Sequence, residues 1–187
     1  MNKFASLLIG ALLLAPTIFG QQSEEAKEER FSAVAMGTGG AVGGRTIQFD
    51  FRVTHYSTDA EVQELADLLK EKGPDALRSA MEKLDAGRIN PVGSVGNQIA
   101  VARKRQEGAN TVITIVTART MGFAELYQGG RSRDYPFGFL QVTLDEKKEG
   151  TGKIMAAAKI RFDKKKGHYE IESYGNQYLR AVNVRPQ

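Results

Sequence analysis

The sequence predicts an α+β fold, in which a largely antiparallel sheet of about seven or eight strands carries a pair of short amphipathic helices. Several segments alternate apolar and polar side chains with a period of two and are linked by glycine-containing turns, the pattern of β-hairpins. The two helical segments follow one another directly instead of alternating with strands. A parallel βαβ arrangement is therefore not expected.

The first twenty residues predict a secretory signal peptide, residues 1–20. Lys3 precedes an apolar run that ends before Pro16, and Gly20 closes the segment ahead of a polar stretch. The run is shorter than the roughly 20 residues that a membrane-spanning helix needs, so we expect cleavage rather than a retained anchor. Segment 21–29 is charged and lacks large apolar groups, which predicts a flexible tether. A single α+β domain then covers residues 30–187.

The composition limits the classes of function. The 187-residue chain has a formal net charge of +4, two histidines and no cysteine. So small a charge does not indicate a nucleic-acid binder. Without cysteine there is no disulfide, thiolate metal site or cysteine nucleophile, and two histidines do not favour a histidine-rich metal site. We expect no cofactor, no nucleic-acid partner and no membrane span after signal cleavage, in a periplasmic or secreted protein.

The first two predicted strands form a pair. The segment 46–54 alternates apolar with polar residues, which predicts a strand with one buried face. Phe31, Ala33 and Ala35 have the same spacing and predict its partner.

Two helices follow, each with one apolar stripe. Thr58 and Glu61 have the spacing of a capping box, in which a hydroxyl and a carboxylate satisfy free N–H groups at a helix start. Gly73 and Pro74 separate the helices, and we expect Gly87 to end the second one. Both stripes are expected to pack on a sheet face. They comprise Val62, Leu65, Ala66 and Leu69 in the first helix, and Leu77, Ala80, Met81 and Leu84 in the second.

The rest of the chain predicts hairpin-linked strands. Charged or polar turns that contain glycine separate most of them. The cluster Arg103-Lys104-Arg105 ends one strand, and alternation splits its side chains between two faces, which is typical of a solvated, aggregation-resistant strand end. The predicted strands are 99–105, 111–118, 137–144, 153–162, 168–174 and 179–184.

The segment from Gly39 to Thr46 matches the phosphate-binding loop motif, except that Arg45 replaces its lysine. Such a loop requires a helix directly after it, because the N–H groups at the helix start hold the phosphates. Here the following residues alternate as a strand, and an exported protein is outside the supply of ATP. We interpret the segment as a hairpin loop between the first two strands.

The candidate functional segment is the long connection 119–137. Connections of this length are uncommon in compact domains and are often functional or disordered. Arginine and tyrosine are enriched at binding hot spots, and arginine suits carboxylate and phosphate groups. In a structural alternative, the arginines of the loop pair with its acidic residues while Phe123 and Tyr135 fill the edge of the core. The predicted ligand-binding residues are Arg119, Glu125, Tyr127, Arg131, Arg133, Asp134 and Tyr135.

Three other side chains are weaker candidates. His55 continues the phase of the inward-facing strand residues, so we expect it at the edge of the core rather than as a catalytic base. Glu170 and Glu172 share a strand face and would form either a carboxylate pair or a solvated surface. The G-x-S-x-G and S-x-x-K motifs of hydrolases do not occur in the sequence.

Three stretches carry a resemblance to a known family. Tyr56-Ser57-Thr58-Asp59, the segment 69–77 and Asp134-Tyr135-Pro136-Phe137 together resemble a family of uncharacterised secreted proteins from Acidobacteria-type soil bacteria. The similarity covers most of residues 30–184. It implies export and a single domain, and it implies no activity and no site residues.

The sequence favours an exported, non-enzymatic module that binds a small ligand or a protein. Binding is predicted at the 119–137 loop and at the face beside the helix pair. One alternative is a periplasmic hydrolase or isomerase that uses carboxylates or His55. Another is a component of cell-envelope assembly.

Overall fold

The computed structural model of the protein describes residues 28–39, 43–123, 134–176 and 178–187. The predicted signal peptide and most of the predicted tether lie outside these residues. Within the described chain, ten strands form one antiparallel sheet and two helices pack against it. The α+β class and the antiparallel sheet are confirmed, and the predicted count of seven or eight strands was too low.

The bounds of most elements lie within three residues of their predicted positions. The helices are α1 (Asp59–Lys72) and α2 (Pro74–Met81), and a 3-10 turn covers Tyr174–Asn176. The strands are β1 (Glu29–Gly37), β2 (Thr46–Val53), β3 (Gly87–Pro91), β4 (Asn97–Ile99), β5 (Val101–Glu107), β6 (Asn110–Thr117), β7 (Phe137–Leu144), β8 (Gly150–Asp163), β9 (His168–Ser173) and β10 (Leu179–Pro186).

The sheet curls back on itself. Its strand order is β4-β3-β2-β1-β10-β8-β7-β6-β5, and β9 pairs with β8 beside this path. The two end strands, β4 and β5, are separated in the chain only by Ala100, whose N–H donates to the carbonyl of Val116 on β6 at 2.9 Å. The concave side is filled by apolar side chains, among them Phe49, Phe51, Ile89, Phe123, Ile113, Ile115, Leu140 and Ile154.

The helices cover the outer side of the same sheet. Leu69, Leu77 and Met81 pack with Val101 and Phe137 in a second apolar cluster. The expected stripes therefore pack on a sheet face, fully or partly buried, except for Leu84, which is exposed beyond the end of α2. The capping box predicted at the start of α1 is present. No helix in the described residues is both long and apolar enough to cross a membrane.

The prediction that Gly87 ends the second helix was wrong. The helix ends at Met81, and Gly87 instead begins β3. Gly87 has a φ of 133°, and a Cβ atom there would collide with the carbonyl oxygen of Arg52 on the paired strand. Glycine is needed here because β2 and β3 approach closely at this point.

Two further expectations near β1 and β2 need correction. The last part of the predicted tether is structured, because β1 begins at Glu29 and pairs with the end of β2. The Glu29 carboxylate accepts hydrogen bonds from the Tyr56 hydroxyl at 3.1 Å and from Lys104 Nζ at 2.7 Å. His55 is exposed, since β2 ends at Val53 and the chain turns. Tyr56 packs against the core instead, and its burial raises the pKa of the phenol.

Candidate ligand-binding site

Strand pairing places four connections at one end of the sheet. β1 ends beside the starts of β2 and β10, β3 ends near the start of β2, and β6 ends beside the start of β7. Loops held on a rigid sheet are common positions for binding residues. We call this end the loop end. Its connections are 38–45, 92–96, 118–136 and 174–178, of which residues 40–42, 124–133 and 177 lie outside the described chain.

Side-chain hydrogen bonds tie neighbouring connections of the loop end together. The Asn97 amide donates to the carbonyl of Thr120 at 3.0 Å and accepts from the N–H of Gly122 at 3.2 Å. Across the end, the Thr38 hydroxyl donates to the carbonyl of Tyr178 at 2.6 Å. The start of the 119–137 loop is thus fixed to the β3–β4 hairpin.

The glycine-rich connection between β1 and β2 is a hairpin at both of its described ends. The Gly37 N–H donates to the carbonyl of Arg45 at 3.0 Å, and the Gly44 N–H donates to the carbonyl of Gly37 at 3.3 Å. A strand, not a helix, begins at Thr46. The hairpin interpretation is confirmed, because the helix start that would hold a phosphate is not there.

The first residues of the 119–137 loop belong to the core. Phe123 is fully buried and meets Phe49 edge to face, with ring centroids 5.4 Å apart. The Met121 N–H donates to the carbonyl of Ala156 at 2.8 Å. The structural alternative is confirmed for Phe123, which anchors the loop.

The last residues of the loop are anchored by Tyr135. Its hydroxyl donates to the Glu172 carboxylate at 2.5 Å, and its ring meets Tyr174 edge to face at 5.3 Å. The hydrogen bond to Glu172 raises the pKa of the Tyr135 phenol. Tyr135 therefore ties the loop to β9, which is a structural role.

The seven predicted ligand-binding residues have different outcomes. Arg119 is exposed at the start of the loop, and Asp134 is exposed near its end and has an interaction partner. Arg119 follows β6, and Tyr135 precedes the neighbouring strand β7. Their side chains lie against different elements, so the structure does not bring them into one site. Glu125, Tyr127, Arg131 and Arg133 lie outside the described residues.

Arg119 lines a surface groove of about 260 Å³ beside the helix pair. The groove runs between the end of α2, the outer face of β3 and β4, and the start of the 119–137 loop. Its lining combines two arginines, one glutamate, two side-chain amides and several apolar groups. These residues are Met81, Glu82, Leu84, Arg88, Gly96, Asn97, Gln98, Ala100, Ala118 and Arg119.

Sequence reasoning missed most of this groove, because β3 and β4 were not predicted. β3 has five residues with a single large aliphatic side chain and a terminal proline, and β4 has three residues. Neither is long enough to show an alternation. The glycines at 93 and 96 are the signal that would have indicated a turn between two short strands.

The weaker candidates do not form a catalytic cluster in the described residues. Glu170 pairs with Arg161 at 2.7 Å and Lys166 at 2.9 Å, and both interactions hold its pKa below the usual range. Glu172 accepts a hydrogen bond from Tyr135, so the two glutamates interact with different partners. His55 follows the end of β2 that lies away from the loop end and Asp134. These three side chains therefore have separate surroundings, and Glu125, a further carboxylate of the hydrolase alternative, lies outside the described residues.

No protein-family model, curated protein or solved structure matches the chain. The function is consequently argued from the geometry of the loop end and the groove.

Proposed function

We propose that the protein is an exported, non-enzymatic binding module that takes a small ligand or a protein at its loop end. The 119–137 loop and the groove beside Arg119 are the binding elements. The observation that carries this proposal is that the loop is fixed at both ends, by Phe123 in the core and by Tyr135 on β9. A long loop on two fixed ends is typical of a binding segment held by a scaffold.

Anchoring favours binding for a thermodynamic reason. A free loop loses conformational entropy when it is ordered by a ligand, which weakens the complex. Here the described ends of the loop are already ordered, and Asn97 fixes Thr120 and Gly122 before any ligand arrives. A ligand then has to order less of the loop, so binding loses less conformational entropy.

Export is supported by the N-terminal sequence and by the composition. The apolar run before Pro16 has the layout of a signal peptide. A chain without cysteine has to obtain its stability from packing, and the filled concave side of the sheet is consistent with this. The partner accordingly is a molecule found outside the cytoplasm.

The test separates a binding role from a structural one. The double variant Arg131→Ala/Arg133→Ala should keep the thermal midpoint of the wild type within about 2 °C, because the proposal assigns these side chains to a ligand and not to the scaffold. Tyr135→Phe should lower the midpoint, because it removes the hydrogen bond to Glu172. A double variant that loses more stability than Tyr135→Phe would show that the arginines belong to the scaffold and would overturn the proposal.

A further inference from the structure

We propose that the groove between Arg88 and Arg119 binds a carboxylate whose neighbouring carbon carries an apolar side chain. This chemistry occurs in N-acylated amino acids and at the carboxyl end of a peptide. The proposal rests on the proposed function, because it names the chemical group that the Arg119 side of the loop end recognises. It is carried by three features of the lining: uncompensated guanidinium groups, fixed amides and an adjacent apolar surface.

The two guanidinium groups are available to a ligand. Arg88 donates one hydrogen bond to the carbonyl of Val95 at 3.1 Å, which holds the side chain at the groove and leaves its other N–H groups free for further bonds. Within the part of the chain that the structure describes, no carboxylate pairs with Arg88 or Arg119. By contrast, Arg161 is paired with Glu170. Guanidinium forks bind carboxylates in a bidentate manner.

The rest of the polar lining is held in place by the protein. The Gln98 amide donates to the carbonyl of Leu84 at 2.6 Å, and Asn97 bridges Thr120 and Gly122. These bonds cross from β4 to the turn after α2 and to the 119–137 loop. The groove is therefore shaped before a ligand enters, and binding orders few groups.

The apolar part of the groove lies next to the arginines. Met81 and Leu84 come from the end of α2 and the turn after it, and Ala100 and Ala118 form the floor. Leu84 is 37% exposed, and an apolar group of a ligand would cover part of this surface. A ligand with an aliphatic side chain beside its carboxylate would contact both the arginines and the apolar part of the groove.

Glu82 sets the charge that the groove accepts. Its side chain lines the groove and forms no ion pair within the described residues. Two arginines against one glutamate leave the lining positive, but a second negative charge on the ligand would meet the Glu82 carboxylate. We expect a single carboxylate to bind better than a dicarboxylate.

The test is a titration of the mature protein, followed by the backbone amide signals of residues 97–100 and 118–120 in NMR spectra. N-acetyl-leucine should shift these signals, and N-acetyl-leucinamide, which has nearly the same shape without the charge, should bind at least tenfold more weakly. N-acetyl-glutamate should also bind more weakly than N-acetyl-leucine. Equal binding of the acid and the amide, or no binding of either, overturns the proposal.

Variants test the location of the site, and a peptide ligand distinguishes small acids from the carboxyl ends of peptides. Arg119→Gln should weaken binding of N-acetyl-leucine at least tenfold, Glu82→Gln should preserve or strengthen it, and Arg105→Gln is the matched control because Arg105 lies outside the groove. No effect of Arg119→Gln overturns the proposal. Tighter binding of a tripeptide acid ending in leucine assigns the site to peptide ends, and equal binding assigns it to small acids. These measurements use neither Arg131 nor Arg133, so they fail or succeed independently of the stability test of the loop.

Discussion

The hydroxyl of Thr117 accepts a hydrogen bond from the backbone N–H of Gly138 at 3.1 Å. The same hydroxyl donates to the carbonyl of Arg119 at 2.5 Å. Thr117 is fully buried, and a Cβ atom on Gly138 would lie 2.5 Å from its oxygen. One side chain therefore joins the beginning and the end of the 119–137 loop, and a glycine makes room for it.

Replacing Thr117 by valine should destabilise the fold by about 2 kcal/mol, because it leaves a buried N–H and a carbonyl without their partner. Chemical denaturation of the variant measures the change. Thr114→Val is the matched control on the same strand: its half-buried hydroxyl accepts only from the Gln141 amide, which has other partners in water. We expect the control to lose less than about 1 kcal/mol. Equal losses in the two variants would mean that the Thr117 hydroxyl does not join the loop ends.

The turn between β3 and β4 offers a second pair of matched variants. Gly93 and Gly96 both have positive φ values, 83° and 68°. A Cβ atom on Gly93 meets nothing within 4 Å, whereas one on Gly96 would collide with the carbonyl of Ile89 and the side chain of Asn90. Gly93→Ala should lower the free energy of unfolding by about 1 kcal/mol, because alanine is strained at a positive φ. Gly96→Ala should lower it by about 3 kcal/mol or more, because the collision is added to this strain.

Thermal unfolding of both glycine variants checks this difference. The groove residues Asn97 and Gln98 directly follow Gly96, so Gly96→Ala should also disturb their amide signals. Similar midpoints for the two variants would show that β3 and β4 do not approach as described.

Acid should weaken the start of α1 through Glu61. The Thr58 backbone N–H and hydroxyl donate to the Glu61 carboxylate, which lowers its pKa from the ordinary 4.5. A carboxyl with a lowered pKa in the folded state stabilises the protein above its unfolded pKa, and this contribution is lost as the pH falls through the folded value.

The measurement is the thermal midpoint as a function of pH from 7 down to about 3. Glu61→Gln retains an acceptor for the Thr58 N–H but does not titrate, so its midpoint should fall less on acidification than that of the wild type. Glu64→Gln, a change of another exposed glutamate on α1, is the matched control for the loss of one surface charge. An acid dependence that is the same with and without Glu61 would contradict the capping role.

The sequence was sufficient to predict the elements with long, regular patterns. The alternation in β2 and the capping box at Thr58 each depend on neighbouring residues only, and the structure confirms them. The alternation in β8 is interrupted by a bulge, so Ile154 packs in the inner cluster and Ala158 in the outer one. β3 and β4 were missed because their own side chains show no clear pattern. They are strands because β3 pairs with β2 and β4 pairs with β3. His55 was placed at the core edge by extending the period of β2 past the point where the strand ends.

The sequence indicated one segment beside the groove but not the residues that join it in the folded chain. The connection 119–137 does lie at the loop end, and Arg119 does line a groove beside the helices. Tyrosine and phenylalanine are common in binding segments, yet the contacts of Tyr135 with Glu172 and of Phe123 with Phe49 are structural. Arg88 and Gln98 join Arg119 only through the folded sheet, which a pattern along the chain does not show.

Binding through the 119–137 loop is tested most directly by thermal unfolding in the presence of the exported fraction of the source organism, because a ligand of the folded state raises the midpoint. Three proteins are compared: the wild type, Arg131→Ala/Arg133→Ala, and Lys164→Ala/Lys165→Ala, which removes two exposed cations from the β8–β9 turn. We predict that the fraction raises the midpoint of the wild type and of the lysine variant but not that of the arginine variant. A midpoint that stays unchanged in the wild type, or rises equally in all three proteins, would contradict the account.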